Sequence, residues 1–220
     1  MRGEKRGFVV AIDGAAGSGK STLARALAAE LDLPYVNTGS MYRAVAREAL
    51  QRGLDPDDAE SLVSIAGGLA FSLDDEAGSL LIDGVPPGPE LASGEVEAVV
   101  SAVSRHPEVR DALRSVQRRL GLDGAVMEGR DIGTVVYPDA DVKVFLRAAE
   151  DERAARRQAE RGSVDPALAE ALERRDSLDS RTTPLEPAPD AHVVDSSGRG
   201  PEEVLEEVRR LVVAARGGPP

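Results

Sequence analysis

The sequence predicts an α/β fold built on a parallel, doubly wound sheet, and three observations carry that expectation. An apolar run, Phe8-Val9-Val10-Ala11-Ile12-Asp13, turns directly into Gly14-Ala15-Ala16-Gly17-Ser18-Gly19-Lys20-Ser21, a complete GxxxxGK[ST] pattern where a strand hands over to a helix. Strand-like and helix-like segments then alternate, an order that implies parallel strands joined by crossover helices. Two charged clusters, 37–43 and 128–134, each follow an apolar run, which places both at the carboxyl edge of one sheet, where such folds bind ligands.

In the glycine-rich turn, successive backbone N–H groups can face inward, the following helix adds the positive end of its dipole, and Lys20 reaches the outer phosphates of a bound ligand. Ser21 is then placed to hold magnesium. The spacing of Leu23, Ala24, Leu27, Ala28 and Leu31 predicts a helix from Gly19 to about Asp32, stopped by Pro34. Tyr35-Val36-Asn37 reads as the second strand, and Ser40-Met41-Tyr42-Arg43 opens a helix to about Arg52. From Asp55 to about Arg105 the character changes to that of an insertion. Pro56 and two acidic residues precede a helix through Leu69, two short apolar runs flank 74–78 as a hairpin, and a helical stretch runs from Glu95 to Ser104. Pro107 begins a long helix to about Leu120, with Val109, Leu113, Val116 and Leu120 inward. Core strands return at Ala125-Val126-Met127 and Val142-Lys143-Val144-Phe145-Leu146. An arginine-studded helix is predicted from Glu150 to Arg161, another from Pro166 to Arg175 or beyond, a last strand at 191–195, and a final amphipathic helix from Pro201 to about Ala215.

At 220 residues the chain is long enough for one sizeable core. Its net charge of −12 argues against a surface built to neutralise nucleic acid or anionic lipid, and favours a monomer. With no cysteine, disulfides, thiolate metal sites and thiol nucleophiles are excluded. The charged start followed by a short apolar strand carries no export signal or membrane span, so a cytoplasmic protein is expected. His106 and His192 have no metal-ligand spacing and read as structural or exposed.

A phosphate cradle alone suits kinases, GTPases, motors and switches, so the other clusters must decide. In 37–43, Arg43 is placed to grip a second phosphate. In 128–134, Gly129 and Gly133 flank Arg130 and Asp131, and removing side chains there would let a ligand approach closely. Arg153, Arg156 and Arg157, with the arginines of 174–181, sit on helices that carry surface charge routinely. Phosphoryl transfer nevertheless needs mobile positive charge that closes over the reacting group.

The stretches 12–22, 38–43, 128–140 and 175–179 together resemble bacterial cytidylate kinases, a family of nucleoside monophosphate kinases among the P-loop NTPases. The run from Glu128 to Ala140 is the most specific part. The resemblance implies a three-layer fold with a five-stranded parallel sheet, divided into a core (1–37, 106–149 and 187–220), an acceptor-binding region with the bacterial insertion (38–105), and a lid with its following helix (150–186). It also implies ATP as donor, CMP or dCMP as acceptor, and Mg²⁺. ATP would lie on Gly14, Ala15, Ala16, Gly17, Ser18, Gly19, Lys20, Ser21 and Thr22, with Arg153, Arg156 and Arg157 from the lid. CMP would meet Thr38, Tyr42, Arg43, Glu128 and Arg130, with Ser101, Arg110 and Asp131 at the base, Arg175 and Asp179 on the sugar side, and Arg181 at the phosphate. Lys20, Arg43, Arg130, Arg157 and Arg181 would carry catalysis. The interval from Asp179 to Pro184-Leu185 is shorter than the family pattern.

Two rivals stand beside this reading. A kinase with the same core could accept UMP, AMP or another small molecule, and a nucleotide-sensing switch could signal through the inserted region. The switch would need a reader for its own base, and no NKxD-like guanine motif is present.

Overall fold

The computed structural model describes residues 7–161 and 185–217. In chain order the strands are β1 (Val9–Gly14), β2 (Tyr35–Asn37), β3 (Phe71–Leu73), β4 (Leu80–Ile82), β5 (Ala125–Gly129), β6 (Val142–Arg147) and β7 (His192–Asp195). The helices are α1 (Lys20–Leu31), α2 (Thr38–Gln51), α3 (Ala59–Gly68), α4 (Gly94–Ser104), α5 (Pro107–Leu120), α6 (Glu150–Arg161) and α7 (Pro201–Ala215). Five strands form one parallel sheet in the order β2-β5-β1-β6-β7, and β3 and β4 pair separately as an antiparallel hairpin.

β1 is the middle strand and is buried at all six positions, because helices cover both faces of a parallel sheet. The side-chain period of two divides it cleanly. Val9 and Ala11 point into a core shared with α2, α3, α4 and α5, while Val10 and Ile12 point into a second core closed by α1 and α7. The apolar residues of 38–105 thus complete one face of the sheet. The hairpin reaches the sheet edge through a bridge from Ser79 to Tyr35 of β2.

Register fixes the ligand edge. Asp13, next to last in β1, lies level with Gly129 of β5 and Phe145 of β6, so the glycine-rich turn and the segment after β5 leave the sheet side by side. α2 begins two residues earlier than the sequence suggests, because the Asn37 carboxamide oxygen caps it by accepting from the Ser40 N–H at 3.0 Å. Ser93 caps α4 in the same way, accepting from the Val96 N–H at 3.3 Å. A π-helical turn at Ile132–Val136 was not legible in the sequence. Among the described residues, no helix is long and apolar enough to cross a membrane.

Candidate active site

The glycine-rich turn is held from behind. Gly17 has φ +74°, and a Cβ there would stand 2.8 Å from the Arg153 carbonyl oxygen, so the position excludes a side chain on two counts. Arg153 donates from Nη1 to the Ala16 carbonyl at 3.2 Å, and Arg156 from Nη1 to the Ser18 carbonyl at 3.2 Å. Arg156 also reaches the Ser196 carbonyl at 2.7 Å, and the Ser196 hydroxyl donates to the Ser18 carbonyl at 3.1 Å. Two of the loop's carbonyls, those of Ala16 and Ser18, are thereby taken up by side chains, as suits a backbone nest that offers N–H groups to an anion. Arg153 and Arg156, both expected at ATP, brace the loop, because carbonyl oxygens of the turn lie within reach of α6.

Opposite the loop stands a wall made by α2 and the end of β5. Thr38 donates to the Glu128 carbonyl at 2.7 Å and Arg43 to the Ser40 hydroxyl at 3.2 Å. Glu128 is buried, with Oε2 accepting from the Ser21 hydroxyl at 3.0 Å and Oε1 accepting from the Tyr35 hydroxyl. Gly129 is needed for packing: a Cβ there would fall 2.6 Å from Thr38 Oγ1 and 2.7 Å from Ile132 Cδ1. At Gly133 a Cβ would press on Lys143 at 3.3 Å and the Asp13 carboxylate at 3.4 Å. Gly129 also lines the candidate cavity, while at both glycines the protein's own side chains already stand where a Cβ would go.

At the far end, Asp131 is 5% exposed, and its Oδ2 accepts from Nη2 of both Arg110 (2.9 Å) and Arg114 (2.8 Å). Arg110 also donates to the Ser104 carbonyl at 3.3 Å, and its guanidinium lies 5.9 Å from the centre of the Tyr42 ring. Lys20, Ser21, Thr38, Tyr42, Arg43, Arg110, Glu128, Arg130 and Asp131 all line a single cavity of about 200 Å³. From the loop, Ala16 and Gly17 join them; Gly14, Ala15, Ser18 and Gly19 form the turn behind, and Thr22 is exposed on α1. From α4 the cavity takes Val100 and Ser104, which bracket the half-buried Ser101. The side chain of Arg157, and Arg175, Asp179 and Arg181, lie outside the described residues.

Three contributors escaped the sequence reading. Arg114 follows Arg110 by one helical turn, a spacing that puts both on one face and could have revealed it. Tyr35 and Asp13 carried no comparable local signal. The Asp13 carboxylate accepts from the N–H groups of Ile132 and Gly133, both at 2.8 Å, and so ties the entrance of the glycine-rich turn to the segment bearing Arg130 and Asp131. Burial pushes the Asp13 carboxyl up to about 6, against the lowering effect of those two N–H groups. Burial therefore favours the protonated form in the fold. Its stabilisation is full below the ordinary value of 3.8 and lost as the pH rises through about 6. In urea unfolding, the stability of the protein relative to its Asp13→Asn variant is expected to fall by up to about 3 kcal/mol between about pH 4 and about pH 7. A difference that stays flat across that range would contradict this account.

A glycine-rich anion loop facing a guanidinium-lined wall, on the carboxyl edge of a 2-5-1-6-7 parallel sheet, defines a P-loop protein of the small-molecule kinase class. A gluconokinase from Sinorhizobium meliloti shares the fold with a TM-score of 0.51 at 15% identity, over 97% of each chain. Residues 10–214 match the cytidylate kinase family model, and the chain belongs to that family. It is 44% identical to a cytidylate kinase from Rhodococcus jostii over 96% of each chain, and 42% identical to one from Corynebacterium efficiens over 95% of this chain and 96% of that one.

Proposed function

We propose that this protein is an ATP-dependent cytidylate kinase that transfers the γ-phosphoryl group of ATP to CMP or dCMP, giving ADP and the nucleoside diphosphate. The observation that carries the reading is that Lys20 of the anion loop lines the same cavity as Arg43 and Arg130, with the Arg110–Asp131 pair at its far end. A donor phosphate chain on the loop and an acceptor phosphate on the two arginines would meet between them.

The chemistry asks little of the protein in bond making. An oxygen of the acceptor phosphate attacks the γ-phosphorus, the bond to the β–γ bridging oxygen breaks, and that oxygen leaves with ADP. The acceptor is already anionic near neutral pH, so no general base is needed, and the protein's contribution is alignment and charge stabilisation. Lys20 would steady the transferring group, Arg43 and Arg130 would hold the acceptor phosphate, and Arg157, Arg175, Asp179 and Arg181 would act from the 150–186 lid when it closes. Arg153 and Arg156 would serve the donor by holding the loop that cradles it and by facing ATP from α6.

The Ser21 hydroxyl and the Glu128 carboxylate, 3.0 Å apart, are hard oxygen donors that suit magnesium. Mg²⁺ is commonly held by one or two protein oxygens and completed by phosphates and water, so these two oxygens would be enough. When bound, the ion would neutralise charge on the β- and γ-phosphate oxygens.

Base choice follows from the far end. Cytosine presents an amino donor at C4 beside acceptors at N3 and O2, complementary to a carboxylate and a guanidinium. Uracil reverses C4 and N3, which sets a carbonyl against Asp131. An ADP-release assay across the common nucleoside monophosphates is expected to rank CMP and dCMP first, with UMP at least about tenfold lower in kcat/KM. A lead for UMP or AMP would overturn the acceptor assignment, and the absence of multiple-turnover CDP formation would favour the sensing switch.

A further inference from the structure

We infer that Tyr35 is a positioning residue that aims the Glu128 carboxylate at Ser21 and thereby sets how strongly magnesium supports nucleotide binding. The inference rests on the reading of Ser21 and Glu128 as the magnesium side of the site.

The geometry is a chain of hydrogen bonds that crosses from the end of β2 to the first turn of α1. Asn37 donates from Nδ2 to the Tyr35 hydroxyl oxygen at 3.3 Å, so the single hydroxyl proton of Tyr35 is directed onward, to Glu128 Oε1. Glu128 Oε2 in turn accepts from the Ser21 hydroxyl at 3.0 Å. The main chain of Glu128 is pinned as well, through Thr38 Oγ1 on its carbonyl. The Tyr35 ring is seated between the sheet edge and Arg25, whose guanidinium lies 5.5 Å from the ring centre.

A glutamate has three side-chain torsions, and Glu128 is a residue only 3% exposed. Its direction is therefore set by the donors around it. Ser21 offers a single proton and reaches only Oε2, so it leaves rotation of the carboxylate about that one contact open. Tyr35 holds the other oxygen, Oε1. Partners that orient a metal-binding carboxylate typically change metal affinity by about 10–100-fold when removed.

Tyr35→Phe removes the donor and leaves the ring in its place. ADP affinity is measured by titration calorimetry at saturating magnesium and again with EDTA, and the ratio of the two affinities is magnesium's contribution, read without turnover. In Tyr35→Phe this ratio is expected to fall roughly tenfold, while the affinity in EDTA stays near the wild-type value. In steady state the magnesium concentration for half-maximal rate should rise by a similar factor, with KM for CMP changing by less than about twofold. Glu128→Gln is the control and should lose at least as much of the ratio. A wild-type ratio in Tyr35→Phe beside a lowered one in Glu128→Gln would refute the role of Tyr35 alone. An unchanged ratio in Glu128→Gln would remove the magnesium reading of that carboxylate, and the inference with it. Equal losses in the two ADP affinities of Tyr35→Phe would mark a general loosening of the site and would also overturn the inference.

Discussion

Lys20→Met is expected to lose about a thousandfold or more in turnover while unfolding at nearly the wild-type temperature. The ammonium sits at the first position of α1, with Nζ on the Ala15 carbonyl at 2.5 Å, inside the cavity and partly open to solvent. Methionine keeps the length and most of the volume of the side chain, so the fold loses little. What disappears is the compact positive charge beside the transferring phosphoryl group, where each preorganised donor contributes about 10²–10³ in rate. Lys20→Arg is not expected to rescue the reaction, because a planar fork cannot replace a point charge in a turn this tight. A coupled ADP assay beside a thermal melt decides the matter: a folded Lys20→Met protein turning over near the wild-type rate would separate the glycine-rich loop from catalysis. The substitution also carries an internal check. The Lys20 charge helps to keep the Asp13 carboxyl down, so removing it should carry the Asp13-linked loss of stability to higher pH.

Much of this site was legible because its determinants are local. The apolar run into Gly14, the helical spacing after Lys20 and the proline at the start of α5 each act within a few residues, and the strands and helices formed close to where those signals lie. The placement of Arg43, Arg130 and Asp131 at one sheet edge followed from parallel strand direction, which alternation of strands and helices already implies, since each cluster follows a strand. What the sequence could not supply were contacts decided by packing. Arg153 and Arg156 lie more than a hundred positions from the loop carbonyls of Ala16 and Ser18 that they bind, and nothing in their helix says which face meets the loop. Tyr35 and Glu128 are 93 positions apart and meet only because β2 pairs with β5. Gly129 and Gly133 read in the sequence as places that let a ligand approach closely. The obstructing atoms, Thr38 and Ile132 at the first and Lys143 and Asp13 at the second, are visible only once the elements are assembled.

Asp131→Asn is expected to lower kcat/KM for CMP by roughly 10–100-fold and to erase most of the preference for cytosine over uracil. The reason lies in the two guanidiniums on Asp131 Oδ2. Arg110 and Arg114 are buried enough, with side chains 10% and 19% exposed, that both need an acceptor. Asparagine has one oxygen and one amide nitrogen to divide between those arginines and the base. If the oxygen stays with the arginines, the NH₂ group faces the cytosine amino group, donor against donor. If the amide turns, the same conflict moves to Arg110 and Arg114. Either arrangement mispairs buried polar groups at about 1–3 kcal/mol, and about 1.4 kcal/mol corresponds to a factor of ten. Uracil, whose C4 carbonyl would accept from the new NH₂, escapes the first conflict, so its kcat/KM should fall less or rise. The loss of the carboxylate charge should also destabilise the fold by several kcal/mol, since two partly buried cations then lack their counter-ion. Rates are therefore to be compared on CMP and UMP at a temperature where urea titration shows the variant folded. A variant that keeps the wild-type ratio of the two substrates would remove Asp131 from base recognition and leave it as the anchor that orders Arg110 and Arg114.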